Sequence, residues 1–215
     1  MFANRIEAGQ KLAQKLKEVL GEEKNPNQDL VLAIPRGGLI VGRQIANALN
    51  YPLEVIITKK IGAPGNPELA IGAVGFVGEP VIDEDLVARL GVEKDYLEKK
   101  ITEIKNQIMI QEKDWRAGKE PLDLKNKVVV ITDDGVATGA TVKAAIEIVR
   151  QADPQKIILA VPVIARESLR EIENLADEVV YLESPEVFFA VGQFYQNFEQ
   201  VSDEEVKELL NETTF

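Results

Sequence analysis

The sequence predicts an α/β protein built on a five-stranded, mainly parallel sheet flanked by helices. Three observations point there. Five apolar runs, Leu30–Ile34, Leu53–Thr58, Lys127–Thr132, Lys156–Val163 and Glu178–Leu182, have the continuous hydrophobicity of strands buried on both faces. Helix-periodic segments separate most of them, and parallel strands need crossovers of that kind. Hydrophobic residues make up 45% of the 215, enough side chain for a sizeable core.

The elements follow in order. Asn4 and Glu7 fit the N-cap and N3 positions of a capping box, Leu12, Leu16, Val19 and Leu20 form one stripe, and Gly21 suits the position after the helix. Residues 22–29 read as a polar loop. The first strand is broken by Pro35-Arg36-Gly37-Gly38, and a helix over Leu39–Leu49 completes a βαβ unit with the second strand. Lys59 to Glu68 holds two Gly, two Pro and an Asn, which predicts an irregular loop. Leu69–Val77 and Pro80–Ile82 read as a hairpin.

A long helix is expected over Glu93–Ala117, with Leu97, Ile101, Ile104, Ile108 and Trp115 on one seam. About 25 residues would span roughly 37 Å. It reads first as a strut across its own domain, with a homodimer seam as the alternative. Further helices are expected over Ala140–Arg150 and Glu167–Leu175. A second capping box, Ser202 with Glu205 and the staple Val201–Val206, opens the last one. The whole reads as one domain, 1–215, with a core of about 28–60 and 125–183, an insertion over 61–124 and a C-terminal segment, 184–215.

Composition removes several chemistries. Cys and His are both absent, which excludes disulfides, thiolate nucleophiles, Cys/His zinc sites and any triad built on a His base. Twenty-five basic against 36 acidic residues give a net charge of −11, a balance that repels polyanions and argues against nucleic-acid partners. The N-terminus turns charged at once, and no run approaches the ~18 apolar residues of a membrane span. No membrane partner and a cytoplasmic location are therefore expected.

In an open parallel sheet, ligands bind beyond the carboxyl ends of the strands. Three turns there carry unusual residues: Pro35-Arg36-Gly37-Gly38, Lys59-Lys60, and Asp133-Asp134-Gly135-Val136-Ala137-Thr138-Gly139-Ala140-Thr141. Two adjacent carboxylates beside a low-dielectric sheet repel each other, so a cation or hydroxyl donors are implied. Small residues and threonines opening a helix suit a phosphate, held by backbone N–H groups and the helix dipole. The plainer alternative is an Asp-Gly turn followed by a Thr-Gly helix start. The Gly-Lys-Ser/Thr element of a Walker loop is missing. Phe188, Phe189, Phe194, Tyr195 and Phe198 read as mostly core, with part of the group free to stack on a planar ligand.

The run Val128 to Thr141, an apolar strand, two acids and a Thr-Gly phosphate loop, resembles the signature of type I phosphoribosyltransferases. Arg5 with Ala8-Gly9, the Pro35–Gly38 turn, Gly62 to Ala70 and Val191 to Tyr195 extend the resemblance, to a bacterial subgroup, over most of the chain. It implies transfer of the 5-phosphoribosyl group from phosphoribosyl pyrophosphate to a small-molecule acceptor, by family habit a nucleobase, with Mg2+ as cofactor and a small hood over the sheet. Asp133 and Asp134 match the acids that bind the ribose hydroxyls near the metal. Ala137 to Thr141, following Gly135 and Val136, match the 5′-phosphate loop. Arg36 and Gly37 match the pyrophosphate loop, where an unusual peptide conformation is common. Lys59 and Lys60 match the basic end of the second strand, with Arg36 and Lys60 as catalytic candidates. Ile61 to Glu68 would belong to a mobile closing loop, with Glu68 a weak candidate base. Members that use 6-oxopurines carry an acid where this chain has Ala137. The second reading is a regulatory protein that binds phosphoribosyl pyrophosphate or a nucleotide without turning it over.

Overall fold

The computed structural model describes residues 1–21, 29–116, 119 and 122–211. The predicted loop over 22–29 therefore falls almost wholly outside the described residues. The central sheet has the order β2 (Leu53–Val55), β1 (Leu30–Ala33), β6 (Val128–Thr132), β7 (Lys156–Val163) and β8 (Glu178–Glu183). All four pairings are parallel, with Val31 beside Leu53, Leu32 beside Ile131, Ile131 beside Leu159 and Ala160 beside Val180.

Alternation along the strands divides the core between two faces. Val31, Ala33, Val130, Ile158 and Ala160 join Leu12, Leu16, Leu39 and Ile45 of α1 (Arg5–Leu20) and α2 (Gly38–Leu49). Leu30, Leu32, Val129, Ile131, Ile157 and Leu159 join Val142, Ile146, Leu169 and Ile172 of α5 (Ala140–Arg150) and α6 (Arg166–Ile172). This is the α/β sheet that the apolar runs predict, flanked by helices on both sides.

Local signals at the helix ends hold, with one detail changed. Asn4 Oδ1 accepts from the Glu7 N–H at 2.9 Å, but the Glu7 carboxylate accepts from Ala3 rather than from Asn4. At α7 (Asp203–Asn211) the box is reciprocal: Ser202 Oγ accepts from Glu205 N and Glu205 Oε2 from Ser202 N. Val201 and Val206 are both buried as its staple. Val19 is 40% exposed and leaves the α1 stripe, where Ala8, Gly9 and Ala13 take the inner face instead.

The insertion differs most from expectation. The second strand stops at Val55, and Thr58 opens a separate antiparallel sheet of β3 (Thr58–Ala63), β4 (Asn66–Gly75) and β5 (Val81–Ile82). The segment Lys59 to Glu68, expected as an irregular or closing loop, is thus two strand arms joined at Pro64-Gly65. Its Gly and Pro residues mark register shifts around Gly62, where the strand bulges, rather than an absence of strand. The expected hairpin of Leu69–Val77 with Pro80–Ile82 is present as the β4–β5 pair, with Gly72 opposite Ile82. A short helix, α3 (Glu84–Leu90), lies outside the expected elements and has no buried residue. The long helix α4 (Lys94–Arg116) is a strut: Ile104, Ile108 and Trp115 join the same core as β3, β4 and α7, while Met109 and Ile110 face outward. Among the described residues, no helix is long and apolar enough to cross a membrane.

Candidate functional site

The loops after β1 and β6 meet at the carboxyl edge of the sheet, where the Ile34 N–H donates to the Thr132 carbonyl at 2.8 Å. Beyond this bond the chains approach closely. A Cβ on Gly37 would lie 1.8 Å from Asp134 Oδ2, and one on Gly38 2.9 Å from the Asp133 Cα. Only glycine lets the Pro35–Gly38 turn press against the two acids. The Pro35–Arg36 peptide in that turn is cis.

The acids are held from several sides. Asp133 Oδ1 accepts the Asp134 N–H at 2.7 Å. Arg5 Nε donates to Asp134 Oδ2 at 2.7 Å, and its Nη1 to the Glu199 carbonyl, also at 2.7 Å. The Arg5 guanidinium lies over the Phe198 ring, 3.8 Å from its centroid. The Tyr195 hydroxyl donates to the Asp134 carbonyl. Burial, then repulsion from Asp134, holds the Asp133 carboxyl well above the usual carboxylate range. Burial raises Asp134 as well, against the opposing pull of Arg5. Burial also raises the Tyr195 phenol, which keeps it a hydrogen-bond donor.

The rest of the β6 loop runs alongside β7. Val136 donates to the Val163 carbonyl at 2.9 Å and accepts from Ala165 at 2.8 Å, which seats Gly135 against Val163 and Val191. Ser168 Oγ donates to the Ala137 carbonyl at 2.6 Å. Gly139 caps α5 with φ 73°, a left-handed conformation that glycine adopts without strain. Ala137, Thr138, Ala140 and Thr141 are exposed beside the first turn of α5, whose leading N–H groups lack intrahelical partners.

The basic residues occupy different positions. Arg36 Nε pairs with Asp203 Oδ1 of α7 at 2.8 Å. Arg36, Gly37 and Lys59 line a cavity of about 560 Å³ together with Arg5, Gln111, Trp115 and Gln200. Lys60 does not line it. Its ammonium pairs across the β3–β4 arm with Glu68 at 2.8 Å, and that cation holds the Glu68 carboxyl below its ordinary value. Of the late aromatics only Tyr195 is buried, so the expectation that most are core fails. Phe188 packs on Phe194, Tyr195 on Phe2 and Phe198, and Phe189 is 86% exposed.

Arg5 and Tyr195 are the site-building residues that spacing did not single out. One signal was available for Arg5: a cation at the first position of a helix opposes the helix dipole and calls for an acid elsewhere.

An open parallel sheet whose acid pair and helix N-terminus share one edge places its candidate site where α/β proteins of this kind bind ligands. The sequence matches the phosphoribosyl transferase domain family over residues 3–199. It is 40% identical over 213 residues, 98% of the chain, to a Mycobacterium tuberculosis protein called "Putative phosphoribosyl transferase MT0597". The chain spans 46% of that relative's length. The fold superposes on the crystal structure of TT1426 from Thermus thermophilus with a TM-score of 0.87, at 36% identity and full coverage of both chains. A more distant likeness, to the AQ2163 protein of Aquifex aeolicus, has a TM-score of 0.50 at 16% identity, covering 83% and 73% of the two chains. The chain belongs to the phosphoribosyl transferase family and has the type I fold.

Proposed function

We propose that the protein transfers the 5-phosphoribosyl group of phosphoribosyl pyrophosphate to a small-molecule acceptor of the nucleobase class, releasing pyrophosphate. The observation that carries this reading is the acid pair Asp133–Asp134 pressed against Gly37 at the sheet edge, between the Arg36 turn and the exposed start of α5. Asp133 and Asp134 accept the ribose hydroxyls. The backbone of Ala137 to Thr141, with the Thr138 and Thr141 hydroxyls, receives the 5′-phosphate. Arg36 and Lys59 face the diphosphate, and Lys60 joins them on leaving its exposed partner Glu68.

The reaction breaks the C1–oxygen bond to pyrophosphate and forms a bond from C1 to the acceptor nitrogen, whose proton passes to solvent or to a nearby base. Positive charge develops on the ribose ring, so positioning and stabilisation of the departing anion carry the catalysis. Mg2+ bound with the diphosphate would neutralise part of the leaving group's charge. Among the described residues no group of three acidic side chains could hold a cation. Asp133 and Asp134 therefore suit an ion that takes its remaining ligands from phosphate and water.

Ala137 places no acid beside the acceptor, so hypoxanthine and guanine are expected to be poor substrates. A calorimetric titration with phosphoribosyl pyrophosphate and Mg2+ tests the donor site, and absence of binding at millimolar ligand refutes it. A pyrophosphate-release screen over nucleobases and small amines identifies the acceptor. Hypoxanthine or guanine as best substrate would overturn the reading of Ala137, and binding without release across the panel would favour the regulatory alternative.

A further inference from the structure

Helix α1 opens on a residue that its own electrostatics disfavours. The first turn of a helix carries the positive end of the macrodipole and gains from acids, yet Arg5 stands at the first helical position and is only 8% exposed. Among the described residues, both hydrogen bonds of its guanidinium lead away from α1. Nε reaches Asp134 Oδ2, and Nη1 reaches the Glu199 carbonyl, each at 2.7 Å. Its flat face rests on Phe198. A buried ion pair is an expensive way to hold a fold together, since apolar side chains of similar volume serve as well. What the pair does provide is direction.

That direction is passed on. Arg5 occupies one oxygen of Asp134, and the Asp134 N–H occupies one oxygen of Asp133. The second oxygens, Asp134 Oδ1 and Asp133 Oδ2, make no hydrogen bond beyond the pair itself among the described residues. Tyr195 holds the Asp134 carbonyl from behind, and Gly37 leaves no room for the Asp134 carboxylate to swing toward the β1 turn. The two carboxyls also contact each other, and a pair of acids on adjacent residues with no other partner for these oxygens matches two hydroxyls on adjacent carbons, which would donate in place of that mutual contact.

We propose that Arg5 is a positioning residue that sets Asp133 and Asp134 to read the vicinal diol of a pentose phosphate. The inference rests on the reading of these acids as the ribose-binding pair. Lysine cannot replace Arg5, because one ammonium does not span Asp134 and Glu199 while lying flat on a ring. The role lies in selectivity for the diol, which a merely structural anchor would not alter.

The test compares ribose 5-phosphate with 2-deoxyribose 5-phosphate by calorimetry in chelator-containing buffer, with inorganic phosphate as a probe of the α5 loop. The parent should bind the ribose compound about tenfold tighter, the low end for a hydrogen bond to a charged group. In Arg5→Gln and Arg5→Lys the preference should fall to about twofold or less, with inorganic phosphate affinity within about twofold of the parent. Phe198→Leu removes the ring under the Arg5 guanidinium, and beside Tyr195, while keeping both Arg5 hydrogen-bond partners, and should leave an intermediate preference. Folded Arg5 variants that keep the tenfold preference overturn the positioning role while leaving the ribose-binding reading intact. A parent that does not distinguish the two sugars overturns that reading and the inference with it. Should neither Arg5 variant fold, Phe198→Leu decides: an unchanged preference overturns the inference, and a reduced one supports it.

Discussion

At the end of β6 the charged groups are buried and bonded: the Asp134 side chain is 14% exposed and that of its partner Arg5 10%. At the end of β1 the ion pair Arg36–Asp203 is 52% and 43% exposed, and on the separate β3–β4 arm Lys60–Glu68 is 48% and 89% exposed. The two corners border one edge of the sheet but are built in opposite ways. The acid corner is set before any ligand arrives, with its orientation fixed by glycine contacts and a buried arginine. The basic rim consists of long side chains held by exposed partners, pairs worth about 0–1 kcal/mol each. A polyanion can draw such cations away from their partners at little expense. On the proposed function, selectivity would belong to the acid corner and the rim would supply adjustable charge.

The largest effect should come from breaking the rigid corner. Gly37→Ala places a methyl where Asp134 Oδ2 lies, 1.8 Å from the ideal Cβ position. The turn must move, and a displacement of about 1 Å at such a site costs on the order of 100-fold. Phosphoribosyl pyrophosphate affinity should fall by that factor, and urea melts should show a loss of about 1–3 kcal/mol. Unchanged affinity would mean that the turn and the acids do not act together.

Asp133→Asn probes the same corner through pH. Burial and Asp134 raise the folded-state value of Asp133 above the ordinary 3.8, so the folded protein holds that proton more tightly than the unfolded chain. The stability this contributes is present below the ordinary value and is lost as pH rises through the raised one. In metal-free buffer the variant should melt a few degrees above the parent at neutral pH. The difference should close toward pH ~4, while sugar-phosphate affinity falls about tenfold. Parallel melting curves at all pH values would show that Asp133 carries no buried charge.

How far the site was legible depends on whether its parts are neighbours in sequence. Asp133, Asp134, Arg36 and Gly37 stand on short turns directly after apolar runs, so position and chemistry could be read together. The bounds of β7 and α5 follow from the same local pattern. Arg5 meets Asp134 across 129 residues, Tyr195 meets Asp134 across 61, and no local periodicity encodes such contacts. The β3–β4 arms were hidden for another reason. Their glycines and prolines sit at bulges and a turn, where a strand tolerates them, and composition alone does not separate that case from a loop.

The rim should respond more weakly than the Gly37 turn, and toward one ligand only. Arg36→Ala removes one charge-assisted contact from an exposed side chain, so pyrophosphate affinity should fall about tenfold. Ribose 5-phosphate, which the proposed function assigns to the acid corner, should change by less than about twofold. Equal losses for the two ligands would remove the division between the corners.

The smallest effect, and the sharpest for the rim, is expected from Asp203→Asn. Asp203 lies in the first turn of α7 with Glu204 and Glu205, where acids favour the helix dipole, so it has a local reason to be there. Losing that interaction and an exposed ion pair should cost no more than about 1 kcal/mol of stability. For the ligand the sign reverses. Asp203 competes for the Arg36 guanidinium and repels an incoming diphosphate, so the asparagine variant should bind pyrophosphate roughly two- to fivefold tighter, an effect that 1 M salt suppresses. Titration of parent and variant at low and high salt separates the outcomes. Tighter binding confined to low salt fits a rim assembled by its ligand. Weaker binding would show that Asp203 orients Arg36 as Arg5 orients Asp134, and the contrast between the two corners would then be one of exposure alone.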